Sequence, residues 1–425
     1  MRNVFLLVLV LMAQPASAEN TFRFHVDEGA LAFEASDRAG SRRHWGVHDG
    51  AGYRIEVPET WNGTLIIYAH GFRGNDVAEL TVTNPPLRDE LLERGHAWAA
   101  SSFSRNRYDI AAGVEDSRAL VTLFQEQIGD PERVIVMGHD MGGHIAAVSA
   151  ELLPDTYDGA LPMCAPLGDT ALFDYLVGFN LAAQAIAGVE ARFPDPDFQE
   201  RTRPQLLTRL GPDWPTERNL RGDRVRQMLL HLSGGPRPLF DEALQAWGER
   251  LFDFGHLDGS IGGVAGGNVV DTRNTVYRLT SYNALNEVED QLNARVLRVE
   301  REPLTLRGTR LDHIPPITGE FTIPVLTLHT LGDLYMPVAM QQVYAERVTA
   351  NGNPELLTQR VVRDIRHCTF SIAEQARALD DLLRWIEQGV KPEGDAVDDP
   401  EALADVRFGC RFTEPERPGL PACAQ

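Results

Sequence analysis

The sequence predicts an α/β fold: a doubly wound, mostly parallel sheet with a large, mainly helical cap inserted between core strands 6 and 7. Three observations point there. Short apolar runs alternate with helical patterns on both sides of a long middle segment. A tight glycine-bracketed bend, Gly138-His139-Asp140-Met141-Gly142, joins one such run to one such helix. From about residue 168 to about residue 318 the alternation stops, replaced by helix-forming segments, prolines and polar loops.

The elements follow in order. Residues 64–70, within NGTLIIYAHGF, are a mostly apolar run ending in His-Gly, the pattern of a buried parallel strand leaving into a loop. PPLRDELLERG reads as a helix with Pro86 near its start and Gly95 as its stop. Residues 96–101 (HAWAAS) form the next short strand, and 116–128 a helix. A strand over 134–137 enters GHDMGG, a helix runs over 144–153, and 157–164 (YDGALPMC) supplies another strand. In the cap, FDYLVGFNLAAQAIAGV and DRVRQMLLHL have the spacing of amphipathic helices. The core pattern resumes at 323–329 (IPVLTLH), followed by TLGDLYMP. Residues 357–365 are the last strand, leading into RHCTF, and AEQARALDDLLRWIEQG is a closing helix stopped by Gly389. The organisation predicted is a signal peptide over 1–18, a first part of the core over 19–167, the cap over 168–318, and the rest of the core with a cysteine-containing tail over 319–425.

The chain opens MRNVFLLVLVLMAQPASA: Arg2, an apolar run over 4–12, then the small-x-small end Ala16-Ser17-Ala18. That run is too short to cross a bilayer and has the form of a secretory signal, which predicts export to periplasm or medium with cleavage near Ala18. No later stretch has the length or apolarity of a membrane span, so no membrane insertion is expected. A net charge of −21 argues against nucleic acid as a partner and leaves a small-molecule substrate. Lysine occurs only as Lys391, in a Gly/Pro-rich segment, which argues against Schiff-base chemistry. Four cysteines in an exported chain are disulfide candidates and allow three pairings; in one of them Cys410 and Cys423 close a small loop in the tail and Cys164 and Cys368 form the other pair. None has metal-ligand spacing, and His139, Asp140 and His144 lack a fourth ligand, so neither metal nor cofactor is expected.

The chemistry centres on the bend. A sharp turn between strand and helix, free of side chains at its two glycines, lifts Asp140 to the carboxyl end of the sheet. The N–H of Met141, at a helix N-terminus, and that of Phe72, in His70-Gly71-Phe72, are the expected oxyanion-hole donors. A helix N-cap is the alternative role for Asp140. Asp333 and His367, just after the two late strands, complete the order nucleophile, acid, histidine. His367 is expected to activate water, with Asp333 holding its tautomer; Asp169 is the fallback acid.

These residues resemble the α/β-hydrolase superfamily over nearly the whole length after the signal, in IEVPETWNGTLIIYAHGF, VIVMGHDMGGH, GALPMC, PVLTLHTLGD and RHCTF. The elbow is similar to that of epoxide hydrolases and haloalkane dehalogenases, which use an aspartate nucleophile and carry a cap after the sixth strand. The remainder is more similar to exported esterases with G-H-S-M-G-G. The pair His367-Cys368 resembles the tannase and feruloyl esterase group, although the cysteine that group carries before its nucleophile is here His139. Arg73 stands where epoxide hydrolases have the proline of His-Gly-x-Pro, and Met141 where dehalogenases have a halide-binding tryptophan, which disfavours dehalogenation.

The resemblance implies an alkyl-enzyme ester on Asp140, hydrolysed by water that His367 activates. An acid for an epoxide oxygen is expected from the cap, among Tyr175, Tyr277 and Tyr282. Hydrolysis of a carboxylic ester or lactone is the alternative, and a binding protein on a hydrolase scaffold the second.

Overall fold

The computed structural model describes residues 23–303 and 311–423. The expected signal peptide over 1–18 lies outside the described residues. Eight strands form one sheet: β1 Ser41–His48, β2 Ala51–Pro58, β3 Thr64–Ala69, β4 Ala97–Ser101, β5 Arg133–His139, β6 Gly159–Met163, β7 Val325–Thr330 and β8 Leu357–Val362. Their order is β1-β2-β4-β3-β5-β6-β7-β8. β2 runs antiparallel to both of its neighbours, and every other pairing is parallel.

The hairpin of β1 and β2 is an addition to the strands read from the sequence. Its turn, Asp49-Gly50, has positive φ at both residues (48° and 85°), the two-residue geometry that suits the right-handed twist of paired strands. β1 alternates in exposure along its length because only one of its faces is covered. β3, β4, β6, β7 and β8 are buried at every position, as strands covered by helices on both faces must be. Each fully buried Leu, Ile or Val in them contributes about 1.5–3 kcal/mol.

Helices α1 Arg88–Glu93, α2 Ile110–Gln127 and α3 Met141–Leu152 lie between strands of the first part. Between β6 and β7 come α4 Ala171–Ala187, α5 Arg203–Leu210, α6 Leu220–Leu232, α7 Phe240–Trp247 and α8 Glu287–Arg295. This insertion buries its own apolar cluster, including Phe179, Phe198, Leu229 and Phe252. Asn219 caps α6, and Asn286 with Glu289 forms a reciprocal capping box on α8. α9 Ala339–Ala350 follows β7 and α10 Ile372–Gln388 follows β8, capped by Ser371 and stopped by Gly389 in the left-handed conformation. The tail carries a short α11 Pro400–Ala404.

Two disulfides join Cys164 to Cys368 and Cys410 to Cys423, which suits an oxidising, extracellular setting. Among the described residues no helix is long and apolar enough to cross a membrane.

The register places the site. Ala69 of β3 lies opposite Gly138 of β5, and Gly138 opposite Pro162 of β6, so the loops after all three strands open at one edge. Thr330 of β7 lies opposite Val362 of β8, which brings the loops holding Asp333 and His367 to that same edge.

Candidate active site

Asp140 stands between the end of β5 and the start of α3 with φ 55° and ψ −121°, a conformation L residues avoid at a cost of about 1–3 kcal/mol. Two glycines make the bend feasible. A side chain at Gly138 would run into the backbone of Gly142, and one at Gly142 into the carbonyl of Ala69. The Asp140 N–H is donated to the Met163 carbonyl (3.0 Å), pinning the bend to the end of β6. Its side chain makes no capping hydrogen bond to α3, so the helix-cap alternative does not describe it.

The two carboxylate oxygens are treated differently. Oδ2 accepts the Phe72 N–H at 2.9 Å. This is the loop donor expected from His70-Gly71-Phe72. Gly71 permits the approach, since a Cβ there would sit 2.9 Å from Oδ2. Met141, the other expected donor, opens α3 directly behind Asp140. Oδ1 is buried, has no hydrogen-bond partner among the described residues, and lies 3.7 Å from His367 Nε2.

His367 is held from its other side. Its Nδ1–H donates to Asp333 Oδ2 at 2.5 Å. Asp333 is fully buried, and its Oδ1 accepts the N–H groups of Tyr335 (2.9 Å) and Met336 (3.0 Å). Burial opposes charge on the imidazole, but Asp333 and Asp140 together outweigh it and hold the His367 pKa up to about 10. The disulfide between Cys164 and Cys368 straps this loop to the residue following β6, beside the elbow. Cys368 Sγ lies 3.3 Å from His367 Nε2. The cluster Cys164, His367 and Cys368 has no metal-binding thiolates, because both sulfurs are in that bond.

His70 is buried, with its ring nitrogens against the carbonyls of Gly71 (2.8 Å) and Ser102 (3.2 Å). Burial, aided by Arg73, pushes its pKa down to about 4, so it stays neutral and braces the loop.

A cavity of about 320 Å³ opens on Asp140 between the sheet edge and the insertion. Phe72, Tyr108 and Tyr335 line it from the core, with Phe173, Phe254 and Leu257 facing them.

The three tyrosines expected as acids are placed otherwise. The Tyr175 hydroxyl is spent on the Leu334 carbonyl at 2.7 Å. Tyr277 is fully buried in the insertion core beneath Arg298. Tyr282 is 77% exposed. Membership of the inserted segment does not say which side chains face the cavity, and each of these rings found packing or solvent instead.

Tyr335 and Tyr108 are the tyrosines beside Asp140. The Tyr335 ring meets His367 edge-on (centroids 5.3 Å) and stacks on Phe254 (5.1 Å). Its hydroxyl makes no hydrogen bond among the described residues. Burial, then the charges of Asp140 and Asp333, hold it protonated well above the ordinary phenol range. The Tyr108 hydroxyl is bonded to His144 Nδ1 at 2.9 Å. The signal for Tyr335 was its place in TLGDLYMP, two residues beyond Asp333.

No family model matches the chain. It is 25% identical over 417 residues to o-phthalyl amidase from Xanthobacter agilis, covering 84% of this chain and 90% of that protein. In structure it is similar to an esterase from Aspergillus oryzae, with a TM-score of 0.51 at 12% identity over 87% of this chain and 85% of that one. Feruloyl esterase B from Aspergillus oryzae superposes with a TM-score of 0.45 at 12% identity over 83% of this chain and 82% of that one. With its strand order and elbow, the chain has the α/β-hydrolase fold and is a hydrolase.

Proposed function

We propose that this hydrolase cleaves at an alkyl carbon, opening an oxirane through a covalent ester on Asp140. The observation that carries this reading is the division between the carboxylate oxygens, with Oδ2 on the Phe72 N–H and Oδ1 unbonded on the His367 side. An enzyme that attacks a carbonyl needs its oxyanion donor free for the substrate oxygen. Here Asp140 itself occupies that donor, which is what the carbonyl of an enzyme-bound alkyl ester requires.

Asp140 Oδ1 attacks the oxirane carbon, the C–O bond breaks, and the released oxygen takes the proton of the Tyr335 hydroxyl. Esterification removes the charge of Asp140. His367 then has one carboxylate neighbour in place of two, its proton affinity falls, and it returns a proton to the Tyr335 phenolate. Neutral His367, oriented by Asp333, takes a proton from water as the water attacks the Asp140 carbonyl carbon. Phe72 N–H, with Met141 N–H as the second donor, stabilises the oxyanion. Collapse expels the diol oxygen, which takes the proton held by His367, and the second water proton passes from the Asp140 carboxyl to His367, restoring the carboxylate and the imidazolium. The protein acts after export, with its leader cut near Ala18.

The variant His367→Gln tests the covalent step. It is expected to accumulate an adduct whose mass increase equals that of the oxirane, mapped to the peptide carrying Asp140. Turnover by the parent protein with no adduct in the variant contradicts the proposal.

One finding favours a second reading, hydrolysis at an acyl carbon: the relative aligned over most of this chain is named an amidase. In that reading Asp140 acts on water as a general base, and Oδ2 must release the Phe72 N–H to the substrate.

A further inference from the structure

The cavity at Asp140 carries more information than its reaction type. Its walls supply five aromatic rings, from Phe72, Tyr108, Phe173, Phe254 and Tyr335. Leu172, Leu176, Leu257, Ile261 and Met336 add apolar surface, and Asn75 a neutral amide. Two carboxylates, Asp140 and Asp253, line it, and among the described residues no lysine or arginine does. His256, at the rim, has its Nδ1 engaged with the Asp253 carbonyl at 2.7 Å.

The charge of the deeper machinery is also negative on balance. The His367 imidazolium stands between two carboxylates, Asp140 at 3.7 Å and Asp333 at 2.5 Å. Arg203 approaches Asp253 only from outside the cavity, at 3.8 Å. A carboxylate entering this space would lose water and meet net negative charge, because the His367 imidazolium is already paired to Asp140 and Asp333 and no lysine or arginine among the described residues lines the wall.

From this lining we infer that the substrate is an uncharged, aryl-bearing molecule, and that the cavity rejects anions. A volume of about 320 Å³ is at the small end for ligand sites and fits one aromatic ring with a short substituent. The inference rests on the proposed use of Asp140 only for the oxirane carried by that substituent. Recognition of the aryl group is independent of the reaction.

Equilibrium binding to the intact protein therefore separates the two. Three matched probes without an oxirane serve, with their integrity checked after equilibration: phenylacetamide, phenylacetate and acetamide. Phenylacetamide is expected to bind at least tenfold more tightly than either of the others. Leu257→Arg, which places a guanidinium in the wall, is expected to shift the preference at least tenfold toward phenylacetate relative to phenylacetamide. Phenylacetate binding within threefold of phenylacetamide overturns the inference, as does failure of both to bind or an unchanged preference in Leu257→Arg. None of these outcomes depends on forming an ester, so a failed adduct experiment and a failed binding experiment remain distinct.

Discussion

The sheet edge and the helical insertion contribute to the same cavity by different physical means. At the edge, Asp140, Asp333 and His367 are fixed by backbone: a bend pinned to Met163, two N–H bonds on Asp333, and a disulfide beside His367. On the insertion side Phe173, Phe254 and Leu257 offer contact surface. Directional links run from it to the loops after β7 and β8, from the Trp247 ring N–H to the Ile365 carbonyl (2.6 Å), the Tyr175 hydroxyl to the Leu334 carbonyl (2.7 Å) and Arg237 Nε to the Leu331 carbonyl (3.1 Å). The difference teaches that the strands fix where atoms react, while the insertion fixes what is admitted.

Removing the strap at the edge is the strongest way to break that division. Replacing Cys164 and Cys368 together by alanine opens a connection spanning 204 residues and is expected to cost about 3 kcal/mol, read as a lower denaturation midpoint. Turnover should fall with it, as His367 loses its restraint. A variant with unchanged midpoint and turnover would mean that the loop holds itself.

Next in size is Tyr335→Phe, which keeps the ring against Phe254 and His367 but removes the proton. A loss of about 10²-fold in kcat on oxiranes is expected, with KM little changed. A loss confined to KM would return Tyr335 to the walls.

The smallest effect belongs to the insertion. Phe254→Leu should raise KM about threefold to tenfold for an aryl substrate and leave kcat within about twofold, since one stacked aromatic contact is worth about 0.5–1.5 kcal/mol. A tenfold fall in kcat would show that the insertion positions Tyr335 for reaction, merging the two roles.

Legibility in the sequence divides along the same line. The placement of Asp140, Asp333 and His367 at one edge was legible because each follows a segment read as a strand, and the sheet brings such ends together. The β1–β2 hairpin was missed, although Asp49-Gly50 marks its turn, because β1 is charged and half-exposed and lacks an apolar run. The insertion resisted for a stronger reason. Its wall residues at 253–262 lie in a 3-10 turn and an irregular loop without period, and their place depends on contacts with residues such as Tyr335, far away in sequence. The resemblance drew attention to the cap tyrosines Tyr175, Tyr277 and Tyr282, whereas Tyr335, which lines the cavity with Asp140, lies in the same loop as Asp333.

The covalent role of Asp140 is tested most directly by turnover in ¹⁸O-enriched water followed by mass spectrometry of the peptide containing it. Because water attacks the carboxyl carbon of the enzyme, the account predicts that a first turnover places ¹⁸O in Asp140 and none in the diol, with label reaching product only in later cycles. Label appearing in product on the first turnover, with Asp140 unlabelled, would contradict it.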